Sequence, residues 1–354
     1  MKYRKSIYIA IFLIGAVLFS SCSGSGSIGN SSWPGTSANG DTLYLSNSTA
    51  VYAIRMADGN LTWKFPAEAK NTTHFYAPVY SSGDQLIVGD YLNTLYSINP
   101  QTGAQNWTFT EATGRYIGGV LVTEDQILAP VSNSNLYALS TSGQKQWVFE
   151  DSTQALWAQP VSDGSLIYQA SMDHHVYAVD PGTGEQAWNL ELDGAVVYAP
   201  LLDDGTLYAT TLSGTVYAIN TDDHQILWQS AIDSGGWGSP VMNEGTLYLG
   251  DLSGKIYAVN SVDGSQLWKV EAGGPVVGCG NLTPDGVVFV TETGDVVLVG
   301  FDGIKKWTRS IEGKLYGRPA IGDDRIVVSV LNGENLLVAY DFSGNEVWTF
   351  VPAK

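Results

Sequence analysis

The chain has 354 residues, a formal charge of −18, 40 glycines and 11% aromatic residues, against only 17 lysines and arginines. So acidic a surface lacks the clustered Lys and Arg that phosphate contacts need, which argues against nucleic acid as a partner and against a broad basic membrane-docking face. Cys22 and Cys279 are the two cysteines, and no CxxC, CxxCH or adjacent pair exists to mark zinc, c-type haem or a redox dithiol.

In chain order, Lys2, Arg4 and Lys5 precede an apolar run of 13 residues, Ile7 to Phe19. That run is short for a membrane span and right for the core of a signal peptide. It ends in Leu18-Phe19-Ser20-Ser21-Cys22, which resembles a lipoprotein box, with Phe19 standing where that pattern usually has leucine. Residues 1–21 are therefore expected to be a removed signal peptide and Cys22 the lipidated first residue. The protein is then exported and anchored at the outer face of the cytoplasmic membrane, or at an outer membrane where one is present. Losing Lys2, Arg4 and Lys5 takes the charge from −18 to −21 (−18 − 3). Residues 22–32 are rich in Gly, Ser and Asn and read as a tether. Gly24, Gly26 and Gly29 spell GxGxxG, but no strand precedes them and no helix follows, so no dinucleotide site is expected.

From residue 33 to 354 the sequence repeats itself. Trp63, Trp107, Trp147, Trp188, Trp228, Trp268, Trp307 and Trp348 recur at intervals of 44, 40, 41, 40, 40, 39 and 41. Four residues before each lies a glycine, except where His224 precedes Trp228. That position is expected to need φ > 0, which glycine adopts freely. Before each turn stand two short runs apolar on both faces, such as Thr206-Leu207-Tyr208-Ala209 and Val176-Tyr177-Ala178-Val179. Strands sandwiched between neighbours on both sides read this way. Ahead of them, Pro78, Pro160, Pro200, Pro240 and Pro319 mark a further element. A period near 40 built of four strands, A to D, with the tryptophan opening strand D, predicts an all-β, eight-bladed β-propeller of four-stranded antiparallel blades. The first blade begins at its own strand A near Trp33-Pro34 and the last ends in its own strand D, so no strand is expected to be exchanged at closure.

The segment Ala178-x-Asp180-x-x-Thr183-Gly184-x-x-x-Trp188 resembles the tryptophan-docking motif of PQQ-like propeller repeats, and the other repeats are close variants. The resemblance implies that each tryptophan wedges between blades. The family includes quinoprotein dehydrogenases and non-catalytic BamB-like envelope lipoproteins, so fold alone does not decide function. The dehydrogenases generally need a longer chain, calcium ligands, a catalytic Asp and often a vicinal disulfide. None of these maps here, so neither PQQ nor any other cofactor is expected, and no enzyme activity. The expectation is a monomeric, membrane-anchored, protein-binding scaffold with an envelope or membrane protein as partner; the alternatives are a ligand-binding or sensor propeller that uses its central funnel and, further off, a PQQ-dependent oxidoreductase-like protein.

Other chemistry is sparse. In Asp173-His174-His175 the two rings would point to opposite faces of a strand, so turn roles are expected and no metal site. Cys279 sits among apolar neighbours and reads as a buried thiol. More pointed is the spacing of Tyr76, Tyr116, Trp157, Tyr198, Trp237, Val277 and Tyr316, at 40, 41, 41, 39, 40 and 39. These are read as one repeat position where strand A begins, six of the seven aromatic, at the rim of the central funnel. Such a ring could stack on sugars, aromatic ligands or an extended peptide, or fill the wedges between blades. Arg115 and Arg318 stand near the same rim. Six of the 14 mature basic residues lie between Lys305 and Arg325, a concentration that could contact an anionic ligand or partner.

Overall fold

The structure is a computed structural model, and it describes residues 35–68, 73–75 and 77–352. Cys22, the expected signal peptide and tether, Trp33 and Tyr76 lie outside the described residues. The described residues form eight four-stranded antiparallel blades in chain order, with no helix among them. Blade 1 is typical: strand A is Gly35–Asn39, B is Thr42–Asn47, C is Ala50–Arg55 and D is Leu61–Phe65, each hydrogen-bonded to the next. Blade 8 departs in one respect. Its innermost strand is in two pieces, Lys314–Leu315 and Ala320–Ile321, both paired to a long strand B, Arg325–Leu331.

The indoles stand third in strand D, not first as the repeat suggests. Leu61 already pairs with Ile54 across the C–D turn, two residues ahead of Trp63. Opposite each tryptophan, strand C carries a small residue in seven blades (Ala53 or Ser97, for example) and Leu298 in blade 7. A register shift follows at once in every blade, as between Ala178 and Val179. Such a bulge bends and twists strand D, and the indole is thereby turned onto the next blade. Trp63 Nε1 donates to the Pro100 carbonyl of blade 2 at 2.8 Å, and its ring covers Gly103 so closely that a Cβ there would lie 2.8 Å from it. Gly103 has φ +70°, so its lack of a side chain serves both the turn and the indole.

The same contact closes the ring. Trp348 of blade 8 donates to the Met56 carbonyl of blade 1 at 3.0 Å and covers Gly59. Thr36 Oγ1 donates to the Arg318 carbonyl, tying strand A of blade 1 to the inner edge of blade 8. Each blade is thus one continuous stretch of chain. Apolar burial follows the same plan, because the eight clusters of buried side chains each join two neighbouring blades. Leu43, Ile54 and Trp348 sit in the cluster between blades 8 and 1, and Val288, Leu298 and Val328 in that between 7 and 8. Burying a side chain of this size contributes about 1.5–3 kcal/mol, so the seams, not isolated blades, hold the stability.

Candidate functional site

The meander sorts the turns onto two faces. B–C turns and the loops from strand D to the next strand A share one face, here the funnel face. A–B and C–D turns share the other. Strand A begins on the funnel face, next to the axis.

Backbone hydrogen bonds fix the true register there. Tyr116 N–H donates to Asp90 O, and the equivalent donors in blades 4 to 7 are Leu156, Val196, Gly236 and Val276. Trp157, Trp237 and Val277 therefore stand one residue later, and Tyr198 two later. The aromatic set is not one repeat position. Their burial differs as well: Tyr116 is fully buried between blades 2 and 3, whereas Trp157, Tyr198, Trp237 and Tyr316 are half-buried. Tyr316 donates to Glu292 at 2.8 Å. Neighbouring chains pack backbone to backbone in places, since a Cβ on Gly238 would meet the Gly278 carbonyl at 2.0 Å.

At the axis four consecutive blades converge on one thiol, a constellation invisible in the spacing. Cys279 of blade 7 is buried, and its Sγ accepts the Ser239 N–H of blade 6 at 3.1 Å. Tyr198 of blade 5 hydrogen-bonds it, and the Arg318 guanidinium of blade 8 lies near both. Burial pushes the thiol up to about 11, against the opposing pull of Arg318, the Ser239 amide and the Tyr198 hydroxyl. Burial also raises the Tyr198 hydroxyl, reinforced by the thiol. Arg318 is exposed and donates from Nη2 to Asn281 Oδ1 at 3.1 Å.

The concentrated basic residues do not form one patch. Arg309 Nε donates to the Gly344 carbonyl at 2.6 Å across the seam between blades 7 and 8. Arg325 Nη1 donates to the Ala57 carbonyl at 2.7 Å across the seam between 8 and 1. Lys314 pairs with Glu292 at 2.6 Å, and Lys305 and Lys306 are exposed on strand D of blade 7. Most of this charge fastens blade 8 to its neighbours. Arg115 lies apart from Arg318, exposed, with its guanidinium 4.5 Å from the centroid of Tyr91 in the blade 2 B–C turn.

On the funnel side Asp90, Asp173 and Asp251 each cap a B–C turn and accept a tyrosine hydroxyl, from Tyr96, Tyr177 and Tyr257, while Asp151, Glu191, Glu271, Glu312 and Glu334 are exposed there. Burial alone would raise Asp173. The Thr153 amide and the Ser171, Tyr177 and Ser152 hydroxyls outweigh it and hold the acid at about 2. His174 takes φ +73° at the same turn, and His175 Nδ1 lies 3.0 Å from the Asp173 carbonyl. Among the described residues no group of three or more His, Cys, Asp or Glu is placed to hold a metal ion. On the opposite face all eight A–B turns carry at least one exposed carboxylate, from Asp41, Asp84 and Glu124 round to Asp285 and Asp323.

The chain matches the family described as outer membrane protein assembly factor BamB over residues 47–158, 132–271 and 213–310. Among solved structures it is similar to BamB from Moraxella catarrhalis, with 17% identity, a TM-score of 0.75 and coverage of 87% of this chain and 96% of that one. It is also similar to a europium-containing methanol dehydrogenase (13% identity, TM-score 0.72, 85% and 82% coverage). A third similar structure is the computationally designed Ika8 protein (14% identity, TM-score 0.68, 78% and 87% coverage). At these identities the structural likenesses speak for the fold. No match is found among curated protein sequences.

Proposed function

Because the chain belongs to the BamB family of propellers, we propose that it is an exported protein, lipid-anchored through Cys22, that holds a partner protein at the membrane surface. Family membership over residues 47–310 is the observation that carries this reading. The specific role that the family's description names, outer membrane protein assembly, requires a cell with two membranes. In a cell with one, the partner is another envelope protein.

A binding role, not a catalytic one, is further supported by the axis. The groups there most suited to chemistry face one another, with the Cys279 thiol kept protonated by burial and hydrogen-bonded by Tyr198 and Ser239. A rigid disc fastened at every seam suits docking, because little ordering is needed when a partner binds its loops.

The test is membrane fractionation followed by affinity isolation from crosslinked envelope. The native chain should sediment with membranes and bring down one membrane protein in stoichiometric amount. The Cys22→Ala variant should be released. An unchanged distribution of that variant overturns the anchor, and recovery of the propeller alone overturns the scaffold.

A further inference from the structure

We infer that Asn60 is an N-glycosylation acceptor, selected by the folded propeller from among its sequons and served by a transferase that uses a polyprenyl-diphosphate-linked oligosaccharide. The inference rests on the export proposed above, because glycans on such carriers are transferred outside the cytoplasm.

Asn-x-Ser/Thr sequons begin at Asn47, Asn60, Asn106 and Asn281, and at Asn30 and Asn71 outside the described residues. The fold sorts the four. Asn281 stands in the innermost strand of blade 7 with its carboxamide used at both ends. Its Nδ2 donates to the Pro319 carbonyl at 2.9 Å, its Oδ1 accepts from Arg318 at 3.1 Å, and Thr283 is buried. Asn47 is half-buried and paired with Ala50 between strands B and C of blade 1. Asn106 is exposed, but its Nδ2 donates to Ser97 Oγ at 3.1 Å. The residue after it is the seam tryptophan Trp107, which lies on Gly143 and donates to the Thr141 carbonyl at 3.2 Å. An enzyme could not lift that tripeptide without drawing out the indole.

Asn60 differs in each respect. Asn60, Leu61 and Thr62 are all exposed. Gly59, pinned beneath Trp348 at φ +72°, turns the chain so that the sequon leaves the C–D turn outward. It runs into strand D, the outer edge of blade 1, where one side of the main chain is unpaired and an enzyme can grip an extended tripeptide. A second observation singles out the same site. Asp58 stands two residues ahead of Asn60, the place where sequons used by bacterial single-subunit transferases carry an acid. The other five sequons have Ile28, Leu45, Ala69, Ala104 and Cys279 there. Asp58 Oδ1 accepts the Asn60 N–H at 3.1 Å, which fixes the carboxylate beside the acceptor. The Arg55 side chain, helped by Asn60, holds the Asp58 carboxyl down at about 2, so it is ionised. Both partners of the Arg55–Asp58 pair are exposed, so a cation of the transferase can take Arg55's place at little cost. In the transfer, Asn60 Nδ2 forms a bond to the anomeric carbon of the reducing-end sugar. The bond from that carbon to the carrier's phosphate oxygen breaks, the polyprenyl diphosphate leaves with the electron pair, and one Nδ2 proton passes to a base of the enzyme. Nothing is oxidised or reduced.

The experiment incubates the purified, folded chain with a bacterial single-subunit oligosaccharyltransferase and an undecaprenyl-diphosphate-linked oligosaccharide, and reads each sequon by peptide mass spectrometry. The tryptic peptide 56–64 should carry the glycan, and peptides holding Asn106 and Asn281 should not. Asn60→Gln and Thr62→Ala should abolish the modification of that peptide, Thr62→Ser should keep it, and Asp58→Asn should lower it several-fold. Melting curves of the variants, all at exposed positions, check that they are folded. An unmodified peptide 56–64, or modification of it only in the urea-unfolded chain, overturns the inference. Equal occupancy of Asn106 or Asn281 in the folded chain overturns selection by the fold. The same peptide from the protein isolated out of its own cells should carry a glycan, and its absence from exported protein also overturns the site. Loss of residues 1–21 from the intact mass reports export separately. Failure of the export reading is thus distinguishable from failure of the acceptor, which the purified reaction tests by itself.

Discussion

His224→Gly should stabilise this protein, although it deletes a stacked aromatic ring. At the other seven seams an indole N–H donates to a carbonyl two or three residues before a turn glycine, as Trp147 does to Pro181 at 2.9 Å before Gly184. At the seam between blades 4 and 5 the turn residue is His224, held at φ +63°, and its ring stacks on Trp188 at 4.6 Å and 26°. Trp188 Nε1 is buried without a partner, and Thr221 stands three residues before the turn residue, the register of the usual acceptor. Glycine would remove a left-handed cost of about 1 kcal/mol and let the indole relax onto Thr221, relieving an unsatisfied donor worth roughly 1–3 kcal/mol. Against this stand about 0.5–1.5 kcal/mol of ring stacking and about 0.5–1 kcal/mol of added freedom in the unfolded chain. The balance favours glycine by about 1 kcal/mol. For a propeller of about 320 residues, with an unfolding entropy near 2.1 cal/mol/K per residue, this raises Tm by roughly 1.5 °C. Calorimetry and denaturant titration would measure it, with Trp188→Phe completing a double-mutant cycle. Much of the gain should vanish in the phenylalanine background, which has no N–H to satisfy. A loss of stability in His224→Gly, or an undiminished gain when it is combined with Trp188→Phe, would refute the reasoning.

Removing residues from Trp348 onward should unfold the ring cooperatively, because the indole fastens blade 8 to Met56 and Gly59; a normal melting curve for the truncated chain would show that the seam is dispensable. The Asp173 carboxyl sits below its unfolded value, so its contribution is present above about pH 4 and is lost as pH falls toward about 2. Asp173→Asn should accordingly lower stability at neutral pH and flatten the decline between those values, and acid titration by circular dichroism would test both halves of that expectation.

The fold was legible because its repeating device is itself a sequence pattern. A tryptophan four residues after a glycine marks an indole lying on the next turn, and small shifts in loop length do not blur it. The funnel was less legible for the opposite reason. Tyr116, Trp157 and Tyr198 are spaced by 41 and 41, whereas the backbone donors Tyr116, Leu156 and Val196 advance by 40 and 40. The aromatic residue slips by one position at Trp157 and by two at Tyr198 against the backbone register, and spacing alone cannot register the change. The meeting of Tyr198, Cys279 and Arg318 was hidden because it joins blades across the axis, where sequence separation carries no information. The basic stretch misled in another way: residues adjacent in sequence run from the outer edge of blade 7 through the axis to the far side of blade 8, so proximity in the chain did not make a patch.

Because every blade is contiguous and the last seam is fastened by the same indole contact as six of the others, the ring has no structural beginning. The ends mark only where the chain enters and leaves the disc. Moving them to another loop between a strand D and the following strand A would leave the disc as it is and shift that point by one-eighth of a turn for each blade passed. A lineage could thus re-aim such a protein toward a new neighbour by circular permutation alone, without changing one contact inside it.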